Sequence, residues 1–106
     1  RVLMPPRGFC DRCHTATDEW VDAEPQGVIE ASTIVYHSFK GMPEPPYALA
    51  YVRLSNADTA MFNFLRGTDL SEPRAAADRI KIGTAVKVVF VDRPEGRMTD
   101  FWYELA

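Results

Sequence analysis

Two cysteines separated by two residues, Cys10 and Cys13, form the one motif in this sequence whose residue types and spacing could support chemistry. A two-residue spacer turns the chain so that both sulfurs face one point, as a zinc knuckle requires. Structural zinc takes four ligands, and the sequence adds only two histidines. His14 is adjacent to Cys13, and adjacent side chains are seldom both aimed at one metal. His37 lies in a strand-like run. Cys10 to His14 also spells C-x-x-C-H, the attachment pattern of covalent haem. Such domains are usually helical and exported, whereas this sequence is rich in strand signals. A thioredoxin-type redox pair would need a helix directly after the motif to lower the thiol pKa, and the residues after Cys13 offer none. The bland alternative is two reduced thiols in the loop of a degenerate ribbon. Zinc ligation by Cys10 and Cys13 in the complete protein is the favoured reading.

No other constellation suggests catalysis. Ser, His and Asp are present, but no nucleophile elbow surrounds a serine. The carboxylates Asp18, Glu19, Asp92 and Glu95 read as solvated turn charges rather than acid/base dyads. The glycines form no phosphate-cradling loop. Arg7, Lys40 and Arg53 could meet a ligand's phosphates, though each is more simply a surface charge. The aromatic residues carry more information. Tyr36, Phe39, Tyr47, Tyr51, Phe62, Phe64, Phe101, Trp102 and Tyr103 cannot all fit inside one small barrel, because strand alternation sends some outward. Tyr47, Tyr51 and Arg53 share one face of one strand. They either pack under a loop or form a partner-facing patch, since Tyr, Trp and Arg dominate interface hot spots.

The composition frames these residues. The chain has 106 residues, 46% of them hydrophobic and 25% charged, which suits one compact domain with a small appendage. Its net charge of −3 argues against nucleic-acid binding, where affinity comes largely from neutralising phosphates. No apolar run approaches the ~20 residues that span a bilayer. No signal peptide is visible, so a cytoplasmic protein is the expectation. The start Arg1-Val2-Leu3-Met4 reads as mid-protein sequence, with residues upstream.

The elements that must position these groups follow from periodicity. Residues 20–24 form a short strand candidate. Residues 28–37 are a β-branched run, closed by the proline-rich loop 40–46. Residues 47–54 alternate, with Ala48, Ala50, Val52 and Leu54 on one face, small enough for the inside of a tight barrel. Residues 60–66 form another strand. Residues 68–78 hold the one helical candidate, with Ser71 as a possible cap, Pro73 in the first turn and three consecutive alanines. Residues 80–92 and 97–105 close the chain as two strands around the turn Arg93-Pro94-Glu95-Gly96. The expectation is a mainly β fold: a five- to six-stranded Greek-key barrel of OB type with one short helix, spanning residues 25–106. Residues 1–24 would be a partial zinc ribbon and a linker strand.

Met4-Pro5-Pro6-Arg7 before Cys10-Asp11-Arg12-Cys13, the pair Glu19-Trp20, the glycine-led strand at Gly27, the run Ile82-Gly83-Thr84-Ala85-Val86-Lys87-Val88-Val89-Phe90 and the closing hairpin together resemble domain-of-unknown-function family thirty-five. The resemblance covers essentially the whole chain. It implies a zinc ribbon joined to an OB-fold, in a non-catalytic accessory subunit of an acyl-CoA-processing complex. The implied partner is a thiolase-like protein: an acyl-CoA acetyltransferase, a thiolase or a side-chain-cleaving aldolase. The accessory subunit would form a hetero-oligomer with it and help build its acyl-CoA site, in lipid metabolism or steroid degradation. One departure stands out. The family's first cysteine knuckle would precede Arg1, so the zinc set within this chain is incomplete. The rival function is that of an OB-fold binding single-stranded nucleic acid through aromatics and a basic groove, which the acidic balance opposes.

Overall fold

β-branched and aromatic runs, separated by Gly, Pro, Asn and Asp, fold into five strands of one closed barrel in the computed structural model of the chain, which describes residues 2–106. The strands are β1 (Gln26–Val35), β2 (Tyr47–Leu54), β3 (Met61–Leu65), β4 (Ala85–Phe90) and β5 (Phe101–Leu105). They run in the order β1-β2-β3-β5-β4, and β4 pairs back to β1. Every pairing is antiparallel except the short β3–β5 seam at Leu65 and Tyr103. A single helix, α1 (Pro73–Arg79), falls between β3 and β4. This is the OB-type barrel that the sequence pattern predicts, with five strands.

Alternation along β2 sorts the core as the sequence suggests. Ala48, Ala50, Val52 and Leu54 all point inward and are buried. They meet Ile29, Leu65, Val86 and Tyr103 in one cluster, which Leu70, Ala76 and Ile80 complete from the helical connection. The small Ala48 and Ala50 leave room for Tyr103, which is wholly buried. Its hydroxyl donates to the carbonyl of Met61 at 2.9 Å, so the one polar atom of this buried side chain is paired. A bulge at Glu30 shifts the β1–β2 register, which lets β1 bend and close the barrel. Gly27 packs so tightly on β2 that a Cβ there would lie 2.8 Å from the Cα of Leu54. No side chain fits that approach.

The element ends differ from the sequence reading for identifiable reasons. Residues 20–24 are not a strand. Their backbone is served by one side chain instead: Asn56 Nδ2 donates to the Asp22 carbonyl at 2.8 Å and Asn56 Oδ1 accepts from the Glu24 N–H at 2.9 Å. Ser71 does not cap α1. Its hydroxyl donates to Asp69 Oδ1 at 2.7 Å, and Glu72 holds the cap position without a side-chain bond. Pro73 supplies the fixed first turn, and the alanines carry the rest. Residues 80–84 turn rather than extend. Gly83 adopts φ of 90°, where a side chain would be strained, and its N–H donates to the Ile29 carbonyl. Before β5, Met98–Asp100 form a single 3₁₀ turn.

The N-terminal segment is tied to the barrel at two places on the β2–β3 turn. Asn56 is the first. At the second, Asp58 and Thr59 bracket residues 2–4 through four hydrogen bonds of 2.6–2.8 Å. Met4 there packs against the core. Between these ties, the segment carries only an isolated bridge between Phe9 and Ala16. The radius of gyration, 14.9 Å, exceeds the ~13 Å of a compact chain this long, because this segment stands off the barrel. Among the described residues no helix is long and apolar enough to cross a membrane.

Candidate functional site

The cysteine turn is built by local backbone bonds. The Cys10 N–H donates to the Thr15 carbonyl at 2.9 Å, and the His14 N–H donates to the Cys10 carbonyl at 3.0 Å. His14 takes φ of 60° to close the turn, and Thr17 pairs with Gly8 and Arg7 below it. Both thiols are free, Cys10 half-buried and Cys13 exposed. Hydrogen bonds from Thr15, and then from the Cys10 thiol, bring the Cys13 pKa down to about 7. The turn bonds hold the two cysteines in one tight loop, the backbone that half a knuckle requires. A tetrahedral zinc site needs two more donors. Among the described residues no third His, Cys, Asp or Glu joins them. The residues of this chain thus fit one half of a zinc site and do not complete it.

A second arrangement occupies the outer wall of β2, β3 and β5. Tyr51 and Phe62 are cross-strand partners, both more than 40% exposed, with ring centroids 4.9 Å apart. Phe64 follows on the same face of β3. Arg66 lies over Phe64 at 5.5 Å and over Trp102 at 4.9 Å, and Trp102 Nε1 donates to Glu104 at 2.8 Å. Two flat rings standing proud of a sheet, beside a guanidinium held between two more, offer rigid apolar area at little entropic cost. Such surfaces become the anchors of interfaces.

The sequence-predicted residues divide accordingly. Tyr51 is exposed as expected. Arg53 is exposed too, but its Nε pairs with Glu30 at 3.2 Å, at the bulge of β1. Tyr47 corrects the expectation of an outward-facing contact residue. It is buried to 8% exposure, because the edge of Phe64 packs against it at 6.0 Å. Arg7, Lys40 and Arg53 lie on three separate elements: the cysteine segment, the proline-rich loop and the end of β2. Arg66 was missed by sequence reasoning. Its signal is its place two residues beyond Phe64, in phase with Phe62 and Phe64. The other groups with displaced pKa values have structural causes. Backbone and hydroxyl bonds from Ser71 lower Asp69, backbone bonds from Arg97 and Glu95 lower Asp100, and burial pushes Tyr103 up to about 12.

Total exposure points the same way. A folded 12.0 kDa chain exposes about 6,000 Å². This one exposes 7391 Å², including the large apolar residues Phe9, Trp20, Phe39, Tyr51, Phe62, Ile82 and Phe90.

Barrel order, the helix between the third and fourth strands, and the aromatic outer wall define an OB-fold domain with an N-terminal appendage. The sequence profile described as the ChsH2 C-terminal OB-fold domain matches residues 20–91, and the chain belongs to that family. Among solved structures, the chain is similar to one named Ltp2-ChsH2(DUF35) aldolase, with TM-score 0.66 and 22% identity over 96% of this chain and 72% of that one. A protein of unknown function from the DUF35 family of Sulfolobus solfataricus gives TM-score 0.61 and 16% identity over 97% of this chain and 66% of that one. The match is to the family that the cysteine and OB motifs resemble. No curated protein matches the chain.

Proposed function

We propose that the chain is a non-catalytic accessory subunit that docks on a thiolase-superfamily partner, an aldolase in the first instance, and helps form that partner's acyl-CoA site. The observation that carries this reading is the exposed Tyr51–Phe62 stack on the outside of a barrel that has its own buried core. An apolar wall of this kind disfavours the isolated state unless another protein covers it. The family supports an aldolase as the partner, since the related structure is named as an aldolase complex. The partner would supply nucleophile and base. Arg7 and Lys40 remain the candidates for CoA phosphates, and Arg53 joins them only by leaving Glu30. Steroid side-chain or other lipid acyl-CoAs are the substrate class this reading favours. Cys10 and Cys13 would hold zinc together with two donors from outside residues 1–106, and the metal would then fix the appendage.

Replacing Tyr51 by Ala tests the docking wall. The barrel should remain folded by circular dichroism, and affinity for the purified aldolase partner should fall by about 1–3 kcal/mol in calorimetry. Unchanged affinity would move the interface off this wall. A single-stranded nucleic-acid role has no comparable support: the aromatic wall carries Arg66 but no basic groove, and the chain is acidic.

A further inference from the structure

The opposite feature of the barrel from its aromatic wall is an apolar cavity at one mouth. Met4, Leu54, Met61, Val88, Phe90 and Phe101 line it, and the linker at Ala23, Glu24 and Pro25 forms its lip. Its volume is about 110 Å³, and almost all of the lining is apolar. Water needs two to four polar partners to stay ordered in such a space, so this lining favours an apolar group over water. An engineered apolar cavity of ~150 Å³ takes up benzene, which sets the scale of the occupant. One Leu, Ile or Phe side chain fits, whereas a steroid nucleus does not.

The rim narrows the chemistry further. Phe90 stands 58% exposed at the mouth, and Trp20 and Val21, on the linker that leads to its lip, stand 85% and 57% exposed. Interleaved with the two linker residues are Asp18, Glu19, Asp22 and Glu24, with no Lys or Arg between them. An acidic linker that ends in Glu24 at the lip of an apolar hole disfavours the carboxylate of a fatty acid. It attracts an apolar side chain flanked by Lys or Arg.

We propose that this mouth is a second docking point, into which the partner protein inserts one apolar side chain from a basic segment. The inference rests on the accessory-subunit reading above and names a contact distinct from the Tyr51–Phe62 wall. The insertion fills the hole, covers Phe90 and Trp20, and pairs the linker carboxylates with the partner's cations. The carboxylates then speed encounter and make it salt-dependent, while the plug slows dissociation.

Two variants test it on the full chain with the purified aldolase partner. Val88→Phe fills the cavity from within. The double change Asp22→Asn with Glu24→Gln alters only exposed side chains and carries no risk to the core. Benzene is the probe of the cavity itself. Added to the methyl-labelled chain, it should shift the resonances of Val88, Leu54 and Met61, and Val88→Phe should abolish those shifts. Val88→Phe should weaken the complex about tenfold, and the double variant should slow association and flatten its salt dependence. If the wild-type chain binds the aldolase and both variants bind with unchanged affinity and salt response, the mouth is not a docking point, and the accessory reading survives. If the wild-type chain does not bind the aldolase at all, both readings fall together.

Discussion

The barrel and the segment before it use their aromatic residues in opposite ways. In the barrel, Tyr103 is buried with its hydroxyl bonded to Met61, and Tyr51 and Phe62 stack across two strands. In the segment, Phe9 and Trp20 stand 64% and 85% exposed. The barrel is held by a buried apolar core and by ladders on every strand. The segment is held at its two ends by three residues of one turn, Asn56, Asp58 and Thr59, and in the middle by the bonds of the cysteine turn. A closed sheet is self-sufficient because no edge is left unpaired. A twenty-residue loop segment of this kind gains order only from what it is tied to: the barrel, a metal or a partner.

The sharpest way to break that contrast is to remove one large aromatic from each region. Tyr103→Ala should destabilise the barrel by about 3–5 kcal/mol in denaturant unfolding, through lost burial and the cavity left behind. Trp20→Ala should leave the midpoint within about 0.5 kcal/mol, as for other exposed positions. Equal losses would mean that the segment is part of the cooperative fold. A smaller effect is expected where the regions meet. Asn56→Ala removes both bonds to residues 22 and 24 and should cost about 1 kcal/mol. Its clearer readout is faster hydrogen exchange at the Glu24 N–H with the strands still protected. The smallest effect concerns the hairpin before β5. Asp100 accepts from the N–H groups of Glu95 and Arg97, and these bonds hold its pKa below the usual carboxylate range. Its contribution is therefore present above about pH 4, the ordinary Asp value, and is lost as the pH falls through the lower folded value. Asp100→Asn should lower the melting temperature slightly at pH 7. That difference should close below pH 4.

The same contrast explains what was legible in the sequence. Pro73 and the three alanines marked the helical segment, and period-two alternation placed Ala48, Ala50, Val52 and Leu54 inside and located β2, because the core face decides that element. It failed where a single side chain replaces a strand neighbour. Asn56 satisfies the linker at residues 22–24, and nothing in the linker's own pattern announces a partner 32 residues away. It failed again at Tyr47, whose outward position on β2 is right but whose exposure is removed by Phe64 on the adjacent strand. Alternation gives a side chain's face, not the height of its neighbours. The cysteine pair was legible as a tight turn with two thiols, and among the described residues no group of three or more His, Cys, Asp or Glu gathers there.

The accessory role is tested most directly by titrating the purified aldolase partner with this chain and following acyl-CoA cleavage alongside complex formation. The account predicts no turnover by the chain alone and partner turnover that rises with occupancy to a plateau at saturation. Turnover of acyl-CoA by the isolated chain, or partner activity that ignores occupancy, would contradict it.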